Sequence, residues 1–203
     1  MKLKDLSPFQ LDGIKEVANI GSGHAATSLS QMIKKRIFMQ PPDVFIGKTE
    51  DVFNKILEEN YLAVGILQYF LGDLTGLTLL LIKEEEAKKI LSLIMQEEIV
   101  EIKENEESAL KEITNIVTGS YMTSLSEFLN LLALPSVPFL KIDMAKAIVT
   151  SALLSMESYQ EFAICIKSAF FVEDGPKITI NFFFLPDESG VIILTKKLEE
   201  MIE

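Results

Sequence analysis

The sequence predicts an α/β protein of the α+β kind, made by internal duplication, in which two halves share one mostly antiparallel six-stranded sheet about a pseudo-twofold axis, with two long helices on the outside. Three observations predict it. The stretch Asp12-Gly13-Ile14-Lys15-Glu16-Val17-Ala18-Asn19 returns ninety-six residues later as Ser108-Ala109-Leu110-Lys111-Glu112-Ile113-Thr114-Asn115, and nine of the nineteen positions from 12 to 30 are identical to their partners from 108 to 126. Each copy is then followed by the same order of patterns: helix, strand, short helix, two strands, helix. Neither half has enough strands for a well-covered sheet of its own, so the two must share one. The 203 residues are read as a single domain of two repeats, about 1–100 and about 105–203.

The first helix has a clear start. Ser7 is an N-cap, Pro8 stands at the first helical position, Gln10 completes a capping box, and Leu6 and Leu11 can form a hydrophobic staple. The helix should run from Pro8 to about Lys34, and Pro41-Pro42 should end any continuation. Asp43 to Gly47 reads as a strand and Glu50 to Leu57 as a short helix. Tyr61 to Phe70 and Leu77 to Ile82 are strand-like runs joined by Gly72-Asp73-Leu74-Thr75-Gly76, the composition of a hairpin. Lys83 to Met95 has the 3.6-residue period, and the acidic stretch Gln96 to Glu107 reads as the junction between repeats.

The second half restates the first. A helix is expected from about Glu106 to Leu131, a proline break at Pro135 and Pro138, and a strand near Phe139 to Ile142. Asp143 should cap a helix ending near Ser155. Glu161 to Val172 should pair with Lys177 to Leu185 across Glu173-Asp174-Gly175-Pro176, and a last helix should span Gly190 to Ile202.

At 100° per residue, Leu11, Ile14, Ala18, Gly21, Ala25, Leu29 and Met32 fall in one sector of the first helix, the stripe expected to face the sheet. Asp12, Glu16, Asn19, Gly23, Thr27 and Ser30 fall opposite. Five of these six are kept in the second copy, as Glu112, Asn115, Gly119, Thr123 and Ser126, while core-facing positions have changed, Ala18 to Thr114 and Ala25 to Tyr121. Polar residues on an outer face are what water demands in any case. Asn and Gly in mid-helix are not, since Asn is a mediocre helix former and Gly costs roughly 1 kcal/mol relative to Ala. The duplication has kept a surface with a use.

Composition narrows the uses. A formal charge of −11 opposes binding to nucleic acid or anionic lipid, which call for clustered Lys and Arg. No apolar run is long enough to span a bilayer, and the N-terminus lacks the apolar region of a signal peptide, so a cytoplasmic protein without membrane insertion is expected. Cys165 is the one cysteine, in an alternating run that reads as a packed strand. There is no phosphate loop, no dinucleotide fingerprint, no Cys-x-x-Cys and no His-Glu-x-x-His. His24, the one histidine, has Ser120 as its counterpart, which keeps it out of any mechanism common to both halves.

Glu and Asn three residues apart are neighbours on one helix face and can act together on a docked partner. Asp12 could add a second acid in the first copy, but Ser108 replaces it in the second. What both copies offer is a carboxylate that can bind a cation and a carboxamide that can hold water through one acceptor and two donors.

The repeated [Asp/Ser]-x-x-x-Glu-x-x-Asn, the matched Pro42 and Pro138, and the continuations Asn19-Ile20-Gly21-Ser22-Gly23-His24-Ala25-Ala26-Thr27 and Asn115-Ile116-Val117-Thr118-Gly119-Ser120-Tyr121 resemble the CheC family of chemotaxis phosphatases, related to CheX and to the flagellar-switch protein FliY. The resemblance implies a hydrolase that dephosphorylates the phosphorylated response regulator CheY. It implies catalytic residues Glu16, Asn19, Glu112 and Asn115, the asparagines orienting the attacking water and the glutamates contacting a lysine of the regulator. No cofactor of its own is implied, and the Mg²⁺ belongs to the regulator. Asp12, Gly23, Ser108 and Gly119 would border the docking face. CheD is implied as a second partner, and Asp143 to Ser155 is a candidate surface for it, with Asp143, Met144, Ala147, Ile148 and Ala152 either presented to the partner or packed on the sheet. A non-catalytic module that binds CheD or a regulator is the alternative. So is a FliY-like switch subunit, against which stands the chain's end at Glu203 without a further switch domain.

Overall fold

The structure, a computed structural model, describes residues 6–57, 59–156 and 162–200. Two 26-residue helices, α1 (Pro8–Ile33) and α4 (Glu104–Leu129), each open a series of elements that occurs twice. After α1 come β1 (Ile37–Met39), β2 (Asp43–Lys48), α2 (Thr49–Ile56), β3 (Leu62–Gly72), β4 (Gly76–Lys83) and α3 (Glu84–Met95). After α4 come β5 (Ala133–Pro135), β6 (Phe139–Met144), α5 (Ala145–Leu154), β7 (Phe162–Val172), β8 (Lys177–Pro186) and α6 (Glu188–Glu200). Glu161 and residues 201 and 202, included in the expected last strand pair and last helix, lie outside the described residues.

The start of α1 is the expected capping box. Ser7 N donates to Gln10 Oε1 at 2.8 Å and Gln10 N to Ser7 Oγ at 3.3 Å. Gln10 Nε2 also donates to the Leu198 carbonyl at 2.7 Å, tying the start of α1 to α6. Both long helices stop at a left-handed residue at matching positions, Lys34 (φ 58°) and Asn130 (φ 51°). The prolines therefore do not end them. Pro41-Pro42 and Pro138 lie beyond β1 and β5 and divide each sheet edge into two short strands, because proline brings no N–H to the ladder.

The strands form one antiparallel sheet in the order β1-β7-β8-β4-β3-β5, with β2 also paired to β7 and β6 to β3. The expected six ranks are thus filled by eight strands. The halves exchange edges: β2 runs along β7 with Lys48 opposite Phe162, and β6 runs along β3 with Met144 opposite Leu62. The central pair β4 and β8 joins the halves.

The sheet is buried on both faces. One face, including Val64, Ile66, Phe70, Ile164, Phe170 and Phe182, packs with side chains of α1, α3, α4 and α6. The other, including Leu77, Leu79, Leu81, Cys165 and Phe183, lies under α2 and α5. Burial pushes the Cys165 thiol up in pKa, as suits a packed strand residue.

Helices α1 and α4 also pack on each other, antiparallel, with Gly13 against Phe128 and Gly21 against Tyr121. This second contact explains why Val17, Ser22, Ala26 and Ile33 are buried beside the expected stripe, whereas Leu11 and Met32 at the ends of that stripe are only half-buried.

Two expectations for the region after β6 are corrected. Asp143 does not cap α5: it is a strand residue opposite Ala63, the cap position is Met144, and Asp143 Oδ1 accepts from Met144 N at 2.7 Å. Ile148 and Ala152 do not face a partner. Both are fully buried, Ile148 so tightly against Gly65 that no side chain larger than glycine fits there. Helix α5 spends its apolar stripe on the sheet. Among the described residues, no helix is long and apolar enough to cross a membrane.

Candidate functional site

The outer faces of α1 and α4 match residue for residue. Asp12, Glu16, Asn19 and Thr27 are exposed, Gly23 and Ser30 half-exposed, and Ser108, Glu112, Asn115, Thr123, Gly119 and Ser126 repeat the same pattern. In each helix the carboxylate and the carboxamide lie nearly one turn apart on one ridge. Neither Glu16 nor Glu112 has an ion-pair partner among the described residues; the nearby lysines pair instead with other acids, Lys15 with Asp12 at 3.2 Å and Lys111 with Glu107 at 3.8 Å. Each site thus offers an uncommitted anion beside an amide.

The two glycines on this face are not required by the fold. A Cβ at Gly23 or Gly119 would meet nothing within 4 Å, unlike Gly21, where it would lie 2.6 Å from the Tyr121 ring. Helical glycine with open space in front of it weakens the helix with no return from packing. A smooth patch one turn beyond the asparagine in both copies lets another backbone come close.

Some preserved polar residues serve the fold. Ser30 Oγ accepts from Ile37 N at 2.9 Å, fixing the turn into β1, and Thr27 Oγ1 donates to the Gly23 carbonyl at 2.9 Å. Ser108 Oγ donates to the Glu104 carbonyl at 2.9 Å, so it caps backbone rather than replacing the acid Asp12. His24 is exposed on α1, and its counterpart Ser120 bonds to the Ile116 carbonyl of its own helix. Among the described residues no three His, Cys, Asp or Glu side chains converge as a metal donor set.

The surroundings of the two asparagines differ. Asn115 Oδ1 accepts a hydrogen bond of 3.0 Å from Gln68 Nε2, which comes up from β3 beneath α4 and also donates to the Ser136 carbonyl at 2.8 Å. Sequence reasoning passed over Gln68, although an amide among the inward-facing Val64, Ile66 and Phe70 was a signal. Asn19 has no hydrogen bond from its side chain among the described residues.

Of the candidate residues at the end of β6 and in α5, Asp143, Met144 and Ala147 reach the surface, Met144 being 39% exposed. The Asp143 carboxyl is held below its usual pKa by the bond from Met144 N and by Lys141. On the sheet face that Asp143 shares, Tyr69, Leu71, Leu134 and Phe139 are exposed, with Leu71 and Leu134 cross-strand partners.

Fold and site together define an internally duplicated α+β protein that presents a Glu-x-x-Asn pair on each of two exposed helices. The model of the CheC-like family matches residues 9–46 and 106–142, the two segments that hold these pairs. The chain is 28% identical over 184 residues to the CheY-P phosphatase CheC of Bacillus subtilis, covering 88% of each chain. It is 30% identical over 132 residues to the flagellar motor switch phosphatase FliY of the same organism, covering 62% of this chain and 33% of that protein. The crystal structure of Thermotoga maritima FliY superposes with a TM-score of 0.78 at 24% identity, over 97% of this chain and 98% of that one, a likeness of fold. The chain thus matches the CheC-like family in its two signature segments and is similar to a CheC protein over most of its length.

Proposed function

We propose that the chain hydrolyses the aspartyl phosphate of a phosphorylated CheY-type response regulator, with Asn19 and Asn115 positioning the attacking water and Glu16 and Glu112 anchoring the regulator. The observation that carries this reading is the double occurrence, on exposed helix faces, of a carboxylate without an ion-pair partner among the described residues, a carboxamide and a glycine with open space before it. The similarity to a CheY-P phosphatase over most of the chain supports the choice of substrate.

The chemistry asks little of the protein. Phosphoryl transfer to water is catalysed mainly by placing the nucleophile in line with the bond that breaks, and by charge stabilisation. A carboxamide can accept a hydrogen bond from the water through Oδ1 and leave a water lone pair directed at phosphorus. The Mg²⁺ of the reaction belongs to the regulator and is part of the substrate. Glu16 and Glu112 take a regulator lysine, which fixes the register of docking, and Gly23 and Gly119 admit the partner's backbone. Asp12 and Ser108 border the face.

The test is phosphate release from phosphorylated CheY. Asn19→Ala and Asn115→Ala should each lower the rate, and the double variant should fall to the regulator's own rate of dephosphorylation. Full activity in the double variant would overturn the assignment and favour a docking module.

CheD is proposed as a second partner, at a surface that includes Asp143, Met144 and the exposed end of α5 at Leu154. Titration calorimetry with CheD is the test: Met144→Lys should weaken binding, and unchanged affinity would remove this surface from consideration.

A further inference from the structure

We infer that Gln68 is a positioning residue, holding the Asn115 carboxamide in a single orientation, and that this hold makes the second site better organised than the first. The inference rests on the catalytic role proposed for Asn115.

The orientation follows from the hydrogen-bond chemistry. Gln68 is 1% exposed, and its amide sits between Asn115 and the backbone of Ser136. The Ser136 carbonyl can only accept, so Gln68 must turn Nε2 toward it. That same Nε2 faces Asn115, which must therefore present Oδ1 and turn its NH₂ away. Ser136 is itself fixed, since its N donates to the Tyr69 carbonyl at 2.7 Å and its Oγ accepts from Tyr69 N at 3.0 Å. The chain of bonds runs from the rigid sheet, through the gap between β5 and β6, to the catalytic amide. Asn115 keeps one Oδ1 lone pair and two N–H donors for water, each with a set direction.

The arrangement is costly and unshared. Gln68 Oε1 is buried without a hydrogen-bond partner among the described residues, a penalty an apolar side chain at this point of β3 would avoid. Positions that break a local rule against stability are where function is to be sought. At the first site the register gives the counterpart, which comes from β7. Lys48 and Met144 correspond, and their partners are Phe162 and Leu62, a difference of 100 (162 − 62), so Gln68 corresponds to Ser168. Ser168 is too short to take the same part. It bonds to Tyr121 OH at 2.6 Å and Ser22 Oγ at 3.0 Å in the helix seam, and Asn19 is left without a tether among the described residues.

The test uses the full chain labelled with ¹⁵N, and reads side-chain amide order parameters of Asn115 and Asn19 together with phosphate release in an Asn19→Ala background. The Asn115 amide should be clearly more ordered than that of Asn19, and Gln68→Ala should abolish the difference. Gln68→Met keeps the length of the side chain but offers neither donor nor acceptor, so it should free the Asn115 amide and shift its NH₂ resonances. Both variants should lower kcat by about tenfold to a hundredfold, the scale of a misplaced reacting group, with KM changed by less than about twofold, and Gln68→Met should melt within a few degrees of the parent. Equal mobility of the two asparagines in the unsubstituted chain would overturn the inference, as would unchanged kcat once the order is lost. If the unsubstituted chain releases no phosphate, the phosphatase reading fails by itself, and the order parameters still decide whether Gln68 holds Asn115.

Discussion

Ser22 of the first long helix and Tyr121 of the second meet through their hydroxyls at 2.8 Å in the buried seam between the two helices, and each also bonds to Ser168 of the sheet. Three hydroxyls thus close a ring that joins α1, α4 and β7. Tyr121→Phe removes two of its bonds but leaves Ser22 bonded to Ser168, so stability should fall by about 1–2 kcal/mol, measured by urea unfolding. Phosphate release should remain close to the parent rate, because the ring touches neither Glu-x-x-Asn pair. A loss of activity without a loss of stability would contradict this division.

The same seam sets a steric limit at Gly21. A Cβ there would stand 2.6 Å from Tyr121 Cδ1 and 3.1 Å from Tyr121 Cα, and backbone cannot swing aside as a side chain can. Gly21→Ala should therefore destabilise by about 1–3 kcal/mol, despite the better helix propensity of alanine. Thermal unfolding checks the sign.

On the outer face the sign should reverse. Gly23→Ala and Gly119→Ala introduce a methyl into open space and should each stabilise the chain by about 0.5–1 kcal/mol, while raising KM for the phosphorylated regulator. Stabilised variants with unchanged KM would show that no partner approaches the glycines.

Alkaline pH should weaken the fold. Burial raises the pKa of Tyr121; burial, with Glu86 nearby, raises Tyr61 from 10.0 to about 12; and burial raises the Cys165 thiol from 9.0. The folded chain holds these protons more tightly than the unfolded one. Their contribution is therefore complete below the unfolded values and is lost as pH rises toward the folded ones. The Tm should be level near pH 8 and fall between about pH 9 and 12, over the range set by ordinary thiol and phenol values. Cys165→Ala should reduce the steepness at the lower end. A Tm that rises through this window would contradict the assignment.

Much of the architecture was legible because its signals are local. The capping box at Ser7 and Gln10 fixed the start of α1 to the residue, and duplication let each half check the other. What escaped depends on tertiary context. Three residues, as in β1 and β5, are too few to show a period, and their strand form comes from pairing with β7 and β3. The ends of α1 and α4, expected near Lys34 and Leu131, were legible to within about two residues, but the left-handed turns at Lys34 and Asn130 that make them were not, since neither residue is a glycine. Ile148 was ambiguous on its helix, and only the glycine at position 65 opposite it settles its place. Within the site, the Glu-x-x-Asn ridge follows from helical spacing, whereas Gln68 is brought to Asn115 across 47 residues by the sheet.

The central claim is that the two residues of a site do different work, the glutamate docking and the asparagine placing water. The most direct measurement takes a chain in which Glu16 and Asn19 are already replaced and compares Glu112→Gln with Asn115→Ala in steady-state hydrolysis of phosphorylated regulator, with affinity measured separately at low and moderate salt. Glu112→Gln should raise Kd and KM and remove much of the salt dependence of binding, since it takes away an exposed charge pair. Asn115→Ala should lower kcat by about tenfold or more while leaving Kd close to the parent, as expected of an interaction made in the transition state. Equal losses of affinity from both substitutions, with kcat unchanged, would contradict the account and leave a docking surface in place of an active site.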